Sequence, residues 1–400
     1  MPAPKAREQR RRAAPQRPKP EQPAAEQPGP GCAEGAGQQV LQHAVTATCW
    51  LDPGDGGQRE PASVRFSGRR SGVSGRPRQG DSFERVETID GLEPGSGPVS
   101  VTTKVTDITP GKWVVWARPG GRPGQGRPAM LPVPPARRPG LRRFLWGKGN
   151  PVQPGSSGSH VTTRPGAFST GPGLVPASWL PLVLAGVAVA LAVQAVLAGR
   201  AHLSAGAALG ISLAACVAGA AGARIWFVAL NRGKVGGIPT QGLCIQGFIT
   251  GAVAVLVPAV ALADLPVGTF LDVTTPGLFF AMAIGRQGCF LHGCCVGRLT
   301  SSRRGIWASD GRVGARRVPT QQLESLACLV IGLAALLLVL QARRPAAGTV
   351  FVGAVAAYTV ARQLLFPYRA EPRRSSLGRR ASMIAAALVL LADIVVAIVA

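Results

Sequence analysis

From Trp179 to its C-terminus the chain is a succession of sparsely charged runs of Ala, Val, Leu and Gly, each close to 20 residues long. Wound as a helix rising about 1.5 Å per residue, such a run crosses the roughly 30 Å hydrocarbon core of a bilayer. Seven spans are expected, near 179–199, 204–230, 245–266, 270–291, 321–341, 348–367 and 382–400. Their many small residues suit close helix contact, which holds a bundle together where lipid removes the hydrophobic drive between helices. Gly-rich and polar positions interrupt the second, third and fourth spans. Inside a membrane such irregularity is tolerated where protein or a cavity surrounds it, so these interruptions point to working positions.

The chain before Trp179 is of another kind. Residues 1–40 form a basic tail rich in Pro, Gln and Arg, too poor in apolar side chains to offset the entropy of ordering, and disorder is expected there. Residues 41–118 alternate apolar and polar positions between Gly and Pro breaks, as in Ala62–Phe66, Val99–Val105 and Lys112–Trp116. That period of two predicts strands and a small β-sandwich-like domain. Residues 119–177 read as a Pro/Gly-rich linker, and 178–400 as the seven-span membrane domain. The fold class is therefore an all-α polytopic membrane protein with a small N-terminal β-sandwich-like domain. The net charge of +25 is shared between tail and membrane loops. It favours anionic lipid surfaces; no basic face with interleaved aromatics accompanies it, and no nucleic-acid partner is expected. The eight cysteines are scattered, so a disulfide framework is not expected. Cys49-Trp50 reads as buried core, and the N-terminus lacks a charged-then-apolar signal peptide.

Arginine inside a span costs roughly 2.5–3.5 kcal/mol to insert, so it has to be paired, snorkelling or turned to a polar cavity. Arg286 stands in Gly285-Arg286-Gln287-Gly288-Cys289-Phe290-Leu291-His292-Gly293, and Arg362 lies one helical turn after Tyr358. Arg224, at the end of the second span, is as readily an ordinary interface arginine. Cys289, His292, Cys294 and Cys295 have the chemistry of soft-metal ligands, but no second ligand pair with finger-like spacing follows. Nearby arginines favour reactive thiolates instead. No metal or cofactor is expected.

The run beginning Gly285-Arg286 resembles the signature of the prolipoprotein diacylglyceryl transferases, G-R-x-G-N-F-x-N-G-E. Asp272 and Pro276 match the aspartate and proline that precede it, and Pro319-Thr320-Gln321-Gln322-Leu323-Glu324 resembles the family's P-[ST]-Q-L-Y-E. Gly236-Gly237 and the segment Gln246 to Gly251 resemble the glycine-rich stretch that carries H-G-G, and Tyr358 with Arg362 and Arg369 resembles the sixth-span Y-x-x-x-R pattern. Cys289, Cys294 and Gln246 stand where the family has asparagine, glutamate and histidine.

The resemblance implies a multi-pass protein of the bacterial cell membrane. It would move the diacylglyceryl group of phosphatidylglycerol to the lipobox cysteine of prolipoproteins, with glycerol phosphate leaving. Arg286 and Arg362 would hold phosphate, Glu324 would orient an arginine, and His292 would replace the missing base with Glu324 behind it. Cys289, Gln246, Tyr358 and Arg369 would line the phosphatidylglycerol site. Two other readings stay open: a non-catalytic lipid-binding scaffold, and a thiol-redox membrane enzyme. The arginine-rich loops lie on the side of the N-terminal domain, which the positive-inside rule would make cytoplasmic, whereas the resemblance makes that side external.

Overall fold

The computed structural model describes residues 43–54, 60–73, 78–120, 129–131, 151–152, 158–166, 170–231, 243–341, 346–371 and 376–399. The expected tail and Gly236-Gly237 lie outside them.

The N-terminal strands are β1 (His43–Asp52), β2 (Glu60–Arg70), β3 (Ser82–Leu92), β4 (Val99–Val105) and β5 (Lys112–Pro119). The stretch that composition reads as linker adds β6 (Ala129–Leu131), β7 (Ser159–Thr162) and β8 (Arg164–Pro165). One sheet runs β3-β2-β5-β7, all antiparallel. Two further strands, β9 (Ile306–Ser309) and β10 (Val313–Arg317), come from the membrane half of the chain. They extend the other sheet to β6-β1-β4-β10-β9, with Val313 opposite Val101 and Gly314 opposite Ser100.

Alternation explains the core between the sheets. Val45, Ala47, Cys49, Leu51, Val99 and Val101 from one sheet face Val64, Phe66, Trp113, Val115 and Ala117 from the other, and Val313 and Ala315 of β10 join them. The cysteine is buried core, and burial pushes its thiol up to about 12. Trp307 stacks on Trp50 at 6.1 Å between ring centroids. Backbone N–H of Ser301 donates to Glu93 (2.7 Å) and Arg312 pairs with Glu87 (3.0 Å). The sandwich is thus completed by a loop between two membrane helices.

Among the described residues seven helices follow: α1 (Trp179–Arg200), α2 (Ala205–Asn231), α3 (Ile245–Leu262), α4 (Val267–His292), α5 (Thr320–Leu340), α6 (Thr349–Leu365) and α7 (Ser376–Val399). The first six are long and apolar enough to cross a membrane. The seventh expected span lies within α7, which is not among those six. Helix α4 is the central element, packed along α1, α5 and α6, while α2 and α3 pair beside it. Small residues permit this: a Cβ on Gly186 of α1 would lie 2.9 Å from the carbonyl oxygen of Ala281. Pro276 lies inside the continuous α4, and around it Thr274 and Thr275 turn their hydroxyls onto the carbonyls of Phe270 and Leu271.

Asp272 on α4 has a structural task. Its carboxylate accepts the backbone N–H groups of Gly348 (2.7 Å) and Phe351 (3.0 Å), capping the start of α6 from a neighbouring helix.

Candidate functional site

The site is built where α4, α5 and α6 meet at the end of the bundle that carries the sandwich. Glu324, in the first turns of α5, is 1% exposed. A carboxylate so placed must be matched by positive charge and hydrogen bonds. Arg286 from α4 reaches it at 2.6 Å and Arg362 from α6 at 2.9 Å. Arg369, just beyond α6, pairs with the other carboxylate oxygen. Tyr358 donates its hydroxyl to Glu324 (2.7 Å) and accepts from Arg286 (3.1 Å) and Arg362 (3.0 Å).

Local structure places each group. Tyr358 and Arg362 are four residues apart, hence on one face of α6. Arg369 is brought over the cluster because the chain after α6 pairs with the chain after α4. Backbone N–H of Arg298 donates to Tyr368 (2.8 Å), that of Ala370 to Val296 (2.9 Å), and Gly297 bridges Arg369. Helix α5 is fixed to α4 by Gln287, which donates to Gln322 (3.0 Å) and Ser325 (2.9 Å), and by Ser325, which donates to the carbonyl of Ala283 (2.8 Å). Gln321 donates to the carbonyl of Cys294 (2.9 Å). These supports were not singled out from sequence, although Gln321, Glu324 and Ser325 share the i, i+3, i+4 face of an otherwise apolar helix.

Three arginines share one carboxylate, so the cluster carries a formal surplus of two positive charges. The side chains of Arg286 and Arg369 are 15% and 5% exposed, that of Arg362 35%. Arg362 is thus the arginine with room for a further partner. The surplus, in a setting drier than bulk water, makes this a place for an anion, and guanidinium forks suit phosphate oxygens. Both oxygens of Glu324 are engaged by the arginines and Tyr358.

Other expected residues fall elsewhere. His292, six residues after Arg286, lies about 120° around α4 from it. It is exposed, and no described contact joins it to Glu324, so the expected Glu324–His292 relay is absent among the described residues. Gln246 is exposed on the first turn of α3, where it accepts from the Cys244 thiol (2.8 Å), and α3 packs chiefly on α2. Arg224 lies on α2, outside the Glu324 ion pairs. Cys289 is buried one turn after Arg286, and its sulfur, with those of Cys294 and Cys295, forms a group within 4.8 Å.

The model of the prolipoprotein diacylglyceryl transferase family matches residues 168–399. Similar relatives are a phosphatidylglycerol-prolipoprotein diacylglyceryl transferase of Dehalococcoides mccartyi, 35% identical over 109 residues, and one of Chloroflexus aggregans, 38% identical over 97 residues. The first match covers 26% of this chain and 41% of the relative, the second 22% and 32%. The chain therefore spans less than half the length of the curated relatives it matches. The family model, in contrast, takes in every membrane helix and the whole arginine cluster, and the chain belongs to the prolipoprotein diacylglyceryl transferase family.

Proposed function

We propose that this protein transfers the diacylglyceryl group of phosphatidylglycerol to the cysteine thiol of prolipoprotein lipoboxes, in the bacterial plasma membrane, with α7 as a seventh span. The observation that carries the reading is the cluster of three arginines and one tyrosine around a single buried carboxylate at the end of the bundle. Its surplus charge would bind the lipid phosphate. Arg286 and Arg362 would stabilise the charge that develops on the phosphate oxygen as the glyceryl carbon–oxygen bond breaks, donors held in place before reaction being the most effective kind. Glu324 and Tyr358 hold those guanidinium groups in position. Arg369 would add charge from behind, and Cys289 and Gln246 would border the lipid's path. His292, exposed at the end of α4, would pass the thiol's proton to water rather than to Glu324.

The β-sandwich shares its sheet with the loop before α5, so site and sandwich occupy one side of the membrane, which we assign as external. The test is conversion of a lipobox peptide to its diacylglyceryl thioether by purified protein in phosphatidylglycerol vesicles. Product is expected, and Arg286→Ala and Arg362→Ala are each expected to lower turnover by about 10²-fold or more, the scale for removing one transition-state donor. Lipid binding without product would favour the scaffold reading.

A further inference from the structure

Beside the arginine cluster the end of α4 gathers three thiols that phosphate binding does not use. Cys289 lies in the last turn of α4, Cys294 and Cys295 just beyond it, and their sulfur atoms are all within 4.8 Å of one another. Cys289 and Cys294 are buried and Cys295 half-buried.

The backbone shapes this group. Gly293 ends the helix at φ +84°, and the N–H groups of Gly293 (2.9 Å) and Cys294 (3.1 Å) both donate to the carbonyl of Cys289. Cys295 then adopts φ +56°, a left-handed conformation uncommon for a residue with a side chain. Helix α5 clamps the turn: Gln321 donates to the carbonyl of Cys294 (2.9 Å) and Thr320 to that of Cys295 (3.4 Å). A backbone outlier held in place by a neighbouring helix is a reason to ask what its side chains do.

Three thiolates around a tetrahedral zinc ion, with Zn–S bonds of about 2.3 Å, stand roughly 3.8 Å apart. The sulfurs need to draw in by no more than about 1 Å to reach that geometry, a matter of small side-chain rotations. Structural zinc sites close with four protein ligands, whereas sites with three keep a position for substrate. Among the described residues this group has three members.

We propose that Cys289, Cys294 and Cys295 bind a zinc ion whose fourth position takes the sulfur of the acceptor thiol. The proposal rests on the transferase reading and names how its acceptor is activated. A thiol that coordinates zinc gives up its proton, here to water, and displaces a water ligand. The zinc-held sulfur attacks the glyceryl carbon bearing the phosphate. The carbon–sulfur bond forms while the carbon–oxygen bond breaks, its electron pair leaving on glycerol phosphate against Arg286 and Arg362. The thioether product is neutral and a poorer ligand, so water replaces it.

Two features of the surroundings fit. Zinc with three thiolates carries one negative charge, and the acceptor thiolate adds another. Arg286 lies within electrostatic range of Cys289, and Arg369 of Cys295, so that charge is met. Cys289 also follows Arg286 by three residues, about 4.5 Å along the helix axis and 60° around it, which sets sulfur and phosphate side by side. Ligation supplies the ionisation that Glu324 cannot, since its oxygens are committed.

The experiment is zinc-edge X-ray absorption on the full protein, purified reduced in phosphatidylglycerol nanodiscs, with transfer assayed on the same samples. Three sulfur neighbours at about 2.3 Å are expected, rising to four with a lipobox peptide and remaining three with its Cys→Ser analogue. Cys289→Ser and Cys294→Ser should lose most of the zinc, while Arg286→Ala should keep it. Failure to retain zinc in folded, reduced protein would overturn the proposal, as would copper in its place, a Cys289–Cys294 disulfide, or a sulfur count unmoved by peptide. Full transfer by zinc-free protein would sink the zinc site and leave the transferase standing. Four sulfurs with no lipidated product would do the reverse.

Discussion

Glu324→Gln removes one negative charge from among three guanidinium groups while keeping side-chain volume. The carboxylate is 1% exposed and pairs with Arg286, Arg362 and Arg369. Arg362 is 35% exposed on its side chain, so its share is screened and worth at most about 1 kcal/mol. Arg286 and Arg369 are largely desolvated and would be left facing each other without a counter-charge. Breaking a buried pair from one side costs about 3–5 kcal/mol, and that is the expected loss of stability. Tyr358→Phe removes hydrogen bonds but no charge, and about 1–3 kcal/mol is expected. The assay is equilibrium unfolding in mixed micelles, followed by tryptophan fluorescence with and without glycerol phosphate. The anion should stabilise Glu324→Gln more than the parent, because a ligand that binds only the folded state adds stability that grows with the logarithm of its affinity there. A variant within about 1 kcal/mol of the parent, or equal stabilisation of both by the anion, would refute the argument that one carboxylate holds three cations around an anion site.

Asp272→Ala should lower stability by about 1–2 kcal/mol in the same micelles, since it strips the cap from α6. In the sandwich, the Arg78 backbone N–H and then the Arg70 guanidinium hold the Asp81 carboxyl below its ordinary 3.8. Its contribution is therefore complete above that value and disappears as pH falls through the lower folded-state value. Acid unfolding of the sandwich, read from Trp113 emission, should lose this component in Asp81→Asn. Ala315→Asp places an unpaired carboxylate in the sandwich core from a loop between α4 and α5, and should unfold the N-terminal domain at neutral pH. Retained protease resistance of residues 43–119 in that variant would show that β10 is dispensable.

The membrane character and the two unlike halves were legible in the sequence, and the resemblance had named Arg286, Glu324, Tyr358, Arg362 and Arg369, which the structure gathers into one cluster. Length and apolarity alone decide whether a helix spans a bilayer, and an arginine within a span must find a partner because its desolvation is so costly. Local alternation likewise marked the strands of residues 41–118. The same chemistry could not tell which arginines share one carboxylate, because four residues from three separate segments converge on Glu324 and only the packing of α4, α5 and α6 brings them together. It could not show that β10 pairs with β4, some two hundred residues earlier in the chain, or that Asp272 caps α6. Spacing put Cys289, Cys294 and Cys295 in one short motif, but that their sulfurs draw together follows from the turn at Gly293 and its clamp by α5. Contacts within a turn follow from sequence order, whereas contacts between distant segments are decided by burial and charge pairing across the whole fold.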